Sequence, residues 1–214
     1  MPWESPGITH PCTNAPRAFV VPGTMAQDQP QYSAMNPLLF SIGHSNCPLD
    51  RLLGLLAEHR IEALVDIRRF PESKKFPHLS REHLAPAVQE AGIEYHWIEP
   101  LGGRRRSSGA GIHSPNWGLR NEGFRNYADY MLTEEFRQGV ARLLQIAAGK
   151  RTSIMCAEAV YWRCHRRLVS DFLAAQNITV QHIFPNGEVR PHTLTDGARI
   201  ERGGVTYPPN SLFT

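Results

Sequence analysis

The sequence predicts an α/β protein, a Rossmann-like three-layer α/β/α sandwich around a mainly parallel sheet of about five strands. Three observations carry that reading. From Leu38 onward, short apolar runs alternate five times with amphipathic helical patterns. The runs are apolar throughout rather than alternating, as strands buried on both faces must be. Polar, glycine-rich or reactive residues gather after one end of four strands, which is expected where loops at the carboxyl ends of parallel strands form a crevice.

Each element follows from its residues. LLFSIG (38–43) reads as the first strand, and the turn HSNCP puts Pro48 at a first helical position. Leu49, Leu52, Leu53 and Leu56 then recur at helical spacing. EALVDI is a second strand. Ser80 is placed to cap a helix whose apolar face is Leu84, Ala87, Val88 and Ala91, with Gly92 ending it and Pro86 expected to bend or divide it. IEYHWI is a third strand and runs into EPLGGRRRSSGAGIHSPNWGLRN, a stretch long enough to be a binding loop or lid. Thr133 caps a helix with Phe136, Val140, Leu143, Leu144 and Ala147 inward and Gly149 after it. TSIMC is a fourth strand, Leu168, Val169, Phe172 and Leu173 carry the next helix, and ITVQHI is a fifth strand. A tail over 185–214 opens with the turn signal PNG and reads as irregular.

Residues 1–36 are proline-rich and lack periodicity, so they read as a flexible leader, with Met25 or Met35 as alternative starts and 37–214 as a single domain. Hydrophobic content of 41% with 20% charged residues fits a globular chain and not a disordered one. No run of eighteen apolar residues occurs, which excludes a transmembrane helix. The chain does not open on a basic segment followed by an apolar core, so a cytoplasmic protein is expected. Four cysteines are too few for a disulfide framework at this length, and reduced thiols follow. A net charge of +3 is too mild to argue for nucleic acid; the position of the arginines matters more.

Those arginines and their neighbours sit at the strand ends. The first strand ends in Gly43, His44, Ser45 and Asn46, the second in Asp66, Arg68 and Arg69. The third runs into Gly102, Gly103 and Arg104 to Arg106, and the fourth ends in Cys156, Ala157 and Glu158. The opposite ends carry only residues such as Arg60, Glu62, Lys150 and Arg151. His44 either caps the neighbouring helix or joins the site, and Asp66 pairs with Arg68 to build structure or to orient it. Arg69, Lys74 and Lys75 fit a solvated surface as well as a clamp. Gly102 and Gly103 let the backbone around Arg104 approach a ligand closely.

The segment MCAEAVYWRCHRR (155–167) concentrates the reactive groups. Cys156 is the thiol expected to face the cleft. Cys164 falls four residues before Leu168 and eight before Phe172, and so is expected behind it as packing. A cysteine-dependent phosphatase loop needs five residues between cysteine and arginine, but Trp162 occupies the required place and Arg163 comes one later. A zinc clip would have a second tight ligand pair, and none is present at that spacing. No cofactor is required by the sequence; if an ion binds, Cys156, Cys164 and His165 are its ligands.

GHS at 43–45, DIRRFPES at 66–73, AGIEY at 91–95, LGGRRR at 101–106, FRNYADYM at 124–131 and MCAEAVYWRCHRR together resemble the family called domain of unknown function 488. The resemblance runs from about Leu38 through the tail segments PHTLT and TYPPNSLF. It implies a compact α/β domain whose shared polar positions lie in these blocks, and it implies no reaction.

The residues themselves favour an enzyme acting on an anionic substrate, either a phosphate-bearing, nucleotide-like metabolite or a nucleic acid. Arg68, Arg104, Arg163 and Arg166 would hold the anion, helped by Ser45, Asp66, Arg69, Gly102 and Gly103. Cys156 or Cys164 would be the nucleophile, with Glu158, His165 or His44 moving protons. Tyr127 and Trp162 could stack on a planar base. Two other classes stay open: a nucleic-acid-binding module without chemistry, which would also use Trp117, and a metal-binding protein. No membrane partner is expected.

Overall fold

The computed structural model describes residues 38–107 and 113–209; the leader, with Cys12 and both alternative starts, lies outside the described residues. Six strands form the central sheet: β1 (Leu38–Gly43), β2 (Ala63–Asp66), β3 (Glu94–Trp97), β4 (Thr152–Cys156), β5 (Thr179–Ile183) and β6 (Val189–Pro191). Their order across the sheet is β3-β2-β4-β1-β5-β6. The first five run parallel and β6 pairs antiparallel with β5. The sheet is therefore mainly parallel, with one strand more than expected.

Helices cover both faces because successive strand residues point to opposite sides. Phe40, Ile42, Leu64 and Met155 pack with α1 (Leu49–Glu58) and α2 (Arg81–Glu90). Leu39, Val65, Ile154 and Cys156 pack with α3 (Glu122–Tyr130), α4 (Glu134–Ala147) and α5 (Arg166–Ala175). β4 lies between β2 and β1, and all five of its residues are buried. Its end is thus at the centre of the molecule's carboxyl edge.

Four local expectations change. α2 continues past Pro86 as one helix. Pro86 is exposed, so the carbonyl it leaves without an amide partner lies on the solvent side. Ser80 occupies the N-cap position, but its hydroxyl turns to the Pro77 carbonyl and to His83 instead of to the helix amides. α3 was not anticipated at all, although Asn121 accepts from the Phe124 amide as an N-cap and Phe124, Tyr127, Ala128 and Met131 repeat at helical spacing. The tail, read as irregular, supplies β6 and then a separate hairpin of β7 (Arg199–Glu201) and β8 (Gly204–Thr206).

That tail is fastened by Asp171, a fully buried carboxylate on α5. It accepts from His192 Nε2 at 2.9 Å, the Thr195 amide at 2.9 Å and the Tyr207 hydroxyl at 2.7 Å. Removing it leaves three donors to be satisfied in a dry interior, at about 1–3 kcal/mol each. Asp171→Ala is therefore expected to lower unfolding free energy by about 3 kcal/mol or more, read from urea denaturation. A change below about 1 kcal/mol would mean that the network contributes nothing beyond an ordinary surface bond.

Candidate functional site

Strand register decides which residues meet. Gly43 lies opposite Cys156, and Asp66 opposite Met155, so the residues just past β1, β2 and β4 open at one level. The approach at Gly43 tolerates no side chain: a Cβ there would fall 1.7 Å from the Glu158 carbonyl oxygen. This closeness lets the His44 and Ser45 amides donate to the carbonyls of Cys156 (3.0 Å) and Ala157 (2.8 Å). Ser45 takes a left-handed backbone (φ 46°), as does Arg104 (φ 56°) on the facing loop, and non-glycine residues hold that conformation only where their surroundings enforce it. Between these loops is an open cleft of about 1000 Å³.

At the bottom of the cleft, two thiols face one imidazole nitrogen. His165 Nε2 donates to the carbonyl of Ile67 at 3.0 Å, which leaves Nδ1 as a lone pair. Cys164 Sγ is 3.5 Å from that nitrogen and Cys156 Sγ 3.7 Å. The ring is held from the side by Tyr127, whose ring centroid is 5.1 Å away in an edge arrangement. Behind it Gly103 is obligatory, because a Cβ there would press to 2.7 Å from Nδ1. Burial opposes ionisation of Cys164, but the Cys156 thiol, the His165 ring and the nearby Arg166 charge pull it well below the ordinary thiol range. Cys156 moves well above that range, first through its bond to Cys164 and then through burial. The Arg166 backbone amide also points at Cys164 Sγ, at 3.5 Å.

The opposite wall is built on Asp66. Its carboxylate receives Arg68 through Nε (2.9 and 3.0 Å), Nη2 (2.5 Å) and the backbone amide (2.9 Å), and it takes the Tyr95 hydroxyl at 2.5 Å. Arg68 Nη1 then donates to the Leu79 carbonyl at 2.7 Å and to His44 Nε2 at 3.1 Å. His44 Nδ1 in turn donates to the Ser45 carbonyl at 2.9 Å. Accepting from a guanidinium requires a neutral ring, and burial followed by the Arg68 charge lowers the His44 pKa to about 4.

Comparison with known proteins adds a family to this geometry. The family profile described as "Domain of unknown function DUF488" matches residues 48–173. The chain belongs to this family. Searches of curated proteins and of solved structures returned no match. The matched span of the DUF488 family contains Asp66, Arg68, the loop arginines and the whole Cys156–Cys164–His165 cluster; it stops short of GHS at 43–45 and of the tail.

Several expected site residues take different places. Arg68 lines the cleft but is 5% exposed with most of its donors engaged by Asp66, Leu79 and His44, and Arg166 is 1% exposed and outside the cleft lining, bonded to Ser41 and the Glu158 carbonyl. Asp66 and Gly102 stand behind the cleft wall, Gly102 pressed against the Arg69 backbone. Tyr127 is 1% exposed and gives its hydroxyl to the Leu101 carbonyl at 2.6 Å, which leaves no ring face for a base. Trp162 is exposed but packs with Tyr161 and Phe184 outside the cleft. Cys164 is not confined behind Cys156. Its backbone is extended (φ −130°, ψ 151°), so helical spacing does not govern its direction, and both thiols line the cleft. Ser45, Arg69, Arg104, Glu158 and Arg163 line it as expected, and Lys75, Asn121 and Phe124 join them. Phe124 and Asn121 were missed with α3; the Ile67 carbonyl that orients His165 had no signal in the sequence.

The His44 ring makes the wall sensitive to acid. Its proton is bound near 6.5 in the unfolded chain and near 4 in the folded one. Between those values the unfolded state holds more protons, so stability is lost as pH falls through this window, by up to about 3 kcal/mol. His44→Gln keeps an acceptor for Arg68 and is expected to flatten the fall in urea midpoint between about pH 7 and about pH 5. His182, pushed by burial to about 3, supplies a residual slope. An unchanged slope in the variant would remove His44 from this role.

Proposed function

We propose that the protein is an enzyme acting on an anionic, phosphate-bearing substrate, with the Cys156–Cys164–His165 cluster as its reaction centre. The observation that supports this reading most is the placement of two thiols 3.5 and 3.7 Å from one imidazole nitrogen kept as a lone pair, all at the floor of a basic cleft. Arg69, Lys75, Arg104 and Arg163 line that cleft against only Glu72 and Glu158. Arg104 and Arg163 are exposed and make no ion pair among the described residues, so their guanidinium groups can meet a phosphate; Arg69 is partly held by Glu99 at 3.4 Å. The volume suits a ligand of nucleotide size.

As free thiols, the pair reacts through Cys164: the lone pair at His165 Nδ1 takes the thiol proton and the sulfur attacks phosphorus. A sulfur–phosphorus bond forms as the bond to the leaving oxygen breaks, the proton passes from Nδ1 to that oxygen, and water then cleaves the sulfur–phosphorus bond. Glu158 stands at the lip, where it can take a proton from incoming water. A binding module without chemistry has no use for this floor.

Alkylation by iodoacetamide, with a chelator present and peptides mapped by mass spectrometry, tests the reading without a known substrate. Pyrophosphate is expected to slow modification of Cys156 and Cys164 but not of Cys47. Arg163→Ala is expected to weaken that protection about 10-fold, the loss of one charge-assisted contact. Modification rates indifferent to pyrophosphate would sink the anion site. Protection by single-stranded oligonucleotide alone would move the reading to nucleic-acid binding.

A further inference from the structure

We infer that Cys156, Cys164 and His165 form a mononuclear zinc site with three protein ligands and one coordination position open to the cleft. The inference rests on the cluster being the reaction centre and names what that centre holds.

The geometry carries it. Their ligand atoms, two sulfurs and Nδ1, all lie within 4.8 Å of one another. Tetrahedral zinc, with bonds of about 2.3 Å to sulfur and about 2.0 Å to nitrogen, places neighbouring sulfur and nitrogen about 3.5 Å apart. The observed separations are 3.5 and 3.7 Å. Both sulfur–nitrogen edges of a coordination tetrahedron are therefore already close to their required length.

The supporting contacts are those a metal-bound ligand needs. Nε2 of His165 donates to the Ile67 carbonyl, which fixes the ring and leaves Nδ1 for the ion. The Arg166 amide approaches Cys164 Sγ, as expected for a bond that steadies a coordinating thiolate. Gly103 keeps side-chain atoms away from Nδ1, where a Cβ would intrude. All three residues line the cleft, so the fourth position faces it. Three ligands and an open position are the pattern of catalytic zinc; structural sites close with a fourth protein ligand. With the ion present, the thiolates are ligands, and the metal polarises the anionic group that Arg104 and Arg163 hold.

Cobalt(II) titration of the reduced, chelator-stripped full chain tests the site spectroscopically. One equivalent is expected to give thiolate-to-metal charge-transfer absorption and the strong visible bands of tetrahedral cobalt. Cys156→Ser and Cys164→Ser should each diminish the charge-transfer band, whereas Cys47→Ser and Glu158→Gln should leave it unchanged. A weak octahedral spectrum, or a charge-transfer band undiminished by Cys156→Ser, overturns the inference.

Because those variants can misfold, a second measurement uses the unaltered chain. Zinc is expected to protect Cys156 and Cys164, but not Cys47, from iodoacetamide, and chelator to restore their modification. Protection by pyrophosphate without protection by zinc removes the metal and leaves the anion-binding thiol centre standing. Protection by zinc without any effect of pyrophosphate keeps the metal and removes the anion site.

Discussion

A buried positive charge with no carboxylate beside it has to be met by dipoles or by an anion of the protein's own making, and Arg166, which makes no ion pair among the described residues, is such a charge. Its guanidinium donates to Ser41 Oγ on β1 and to the carbonyls of Glu158 and Ala159, which draws the β4–α5 loop onto the end of β1. Desolvating a guanidinium costs several kcal/mol, and backbone dipoles offset part of that. Arg166 is also among the groups that favour the Cys164 thiolate, so the cysteine pair stands where a negative charge would offset more of that cost. Gly43 follows from the same closure, because the loop passes where any side chain would stand. The loop between Cys156 and Cys164 is therefore held by a residue that is not part of the cleft lining.

The Asp66–Arg68–His44 chain performs the matching task on the other wall. A buried ion pair of this kind adds little net stability, but removing one partner strands the other. What it contributes is placement: the β2 end is held with the Ile67 carbonyl aimed at His165. Two of the arginines that looked most like anion ligands are thus frame members. In the proposed reading, anion recognition falls to Arg104 and Arg163, which are exposed at the cleft.

How far the fold could be read ahead depended on segment length. Five parallel strands and four helices announced themselves because each buries enough residues to show a period. α3 carried the same signal, with Asn121 as cap, but stood behind a loop whose composition masked its start. β6, β7 and β8 span three residues each and are largely polar or exposed; three residues cannot display a period, so their pairing with β5 or with one another was invisible. The cleft itself was legible, since the strand-end polarity is a property of the chain order in a parallel sheet.

The division of roles inside the cleft was not. Residue order dictated the α/β sandwich, the end at which the site lies, and the presence there of two thiols, an imidazole and several arginines. It could not say which groups would be buried, because burial depends on contacts between segments far apart in the chain. Arg166 meets Ser41 across 125 positions and His165 meets Ile67 across 98. Those two bonds turn an arginine into a frame and a histidine into a lone pair facing two sulfurs. Packing also overrode the helical spacing at Cys164, whose extended backbone brings its thiol to the floor beside Cys156.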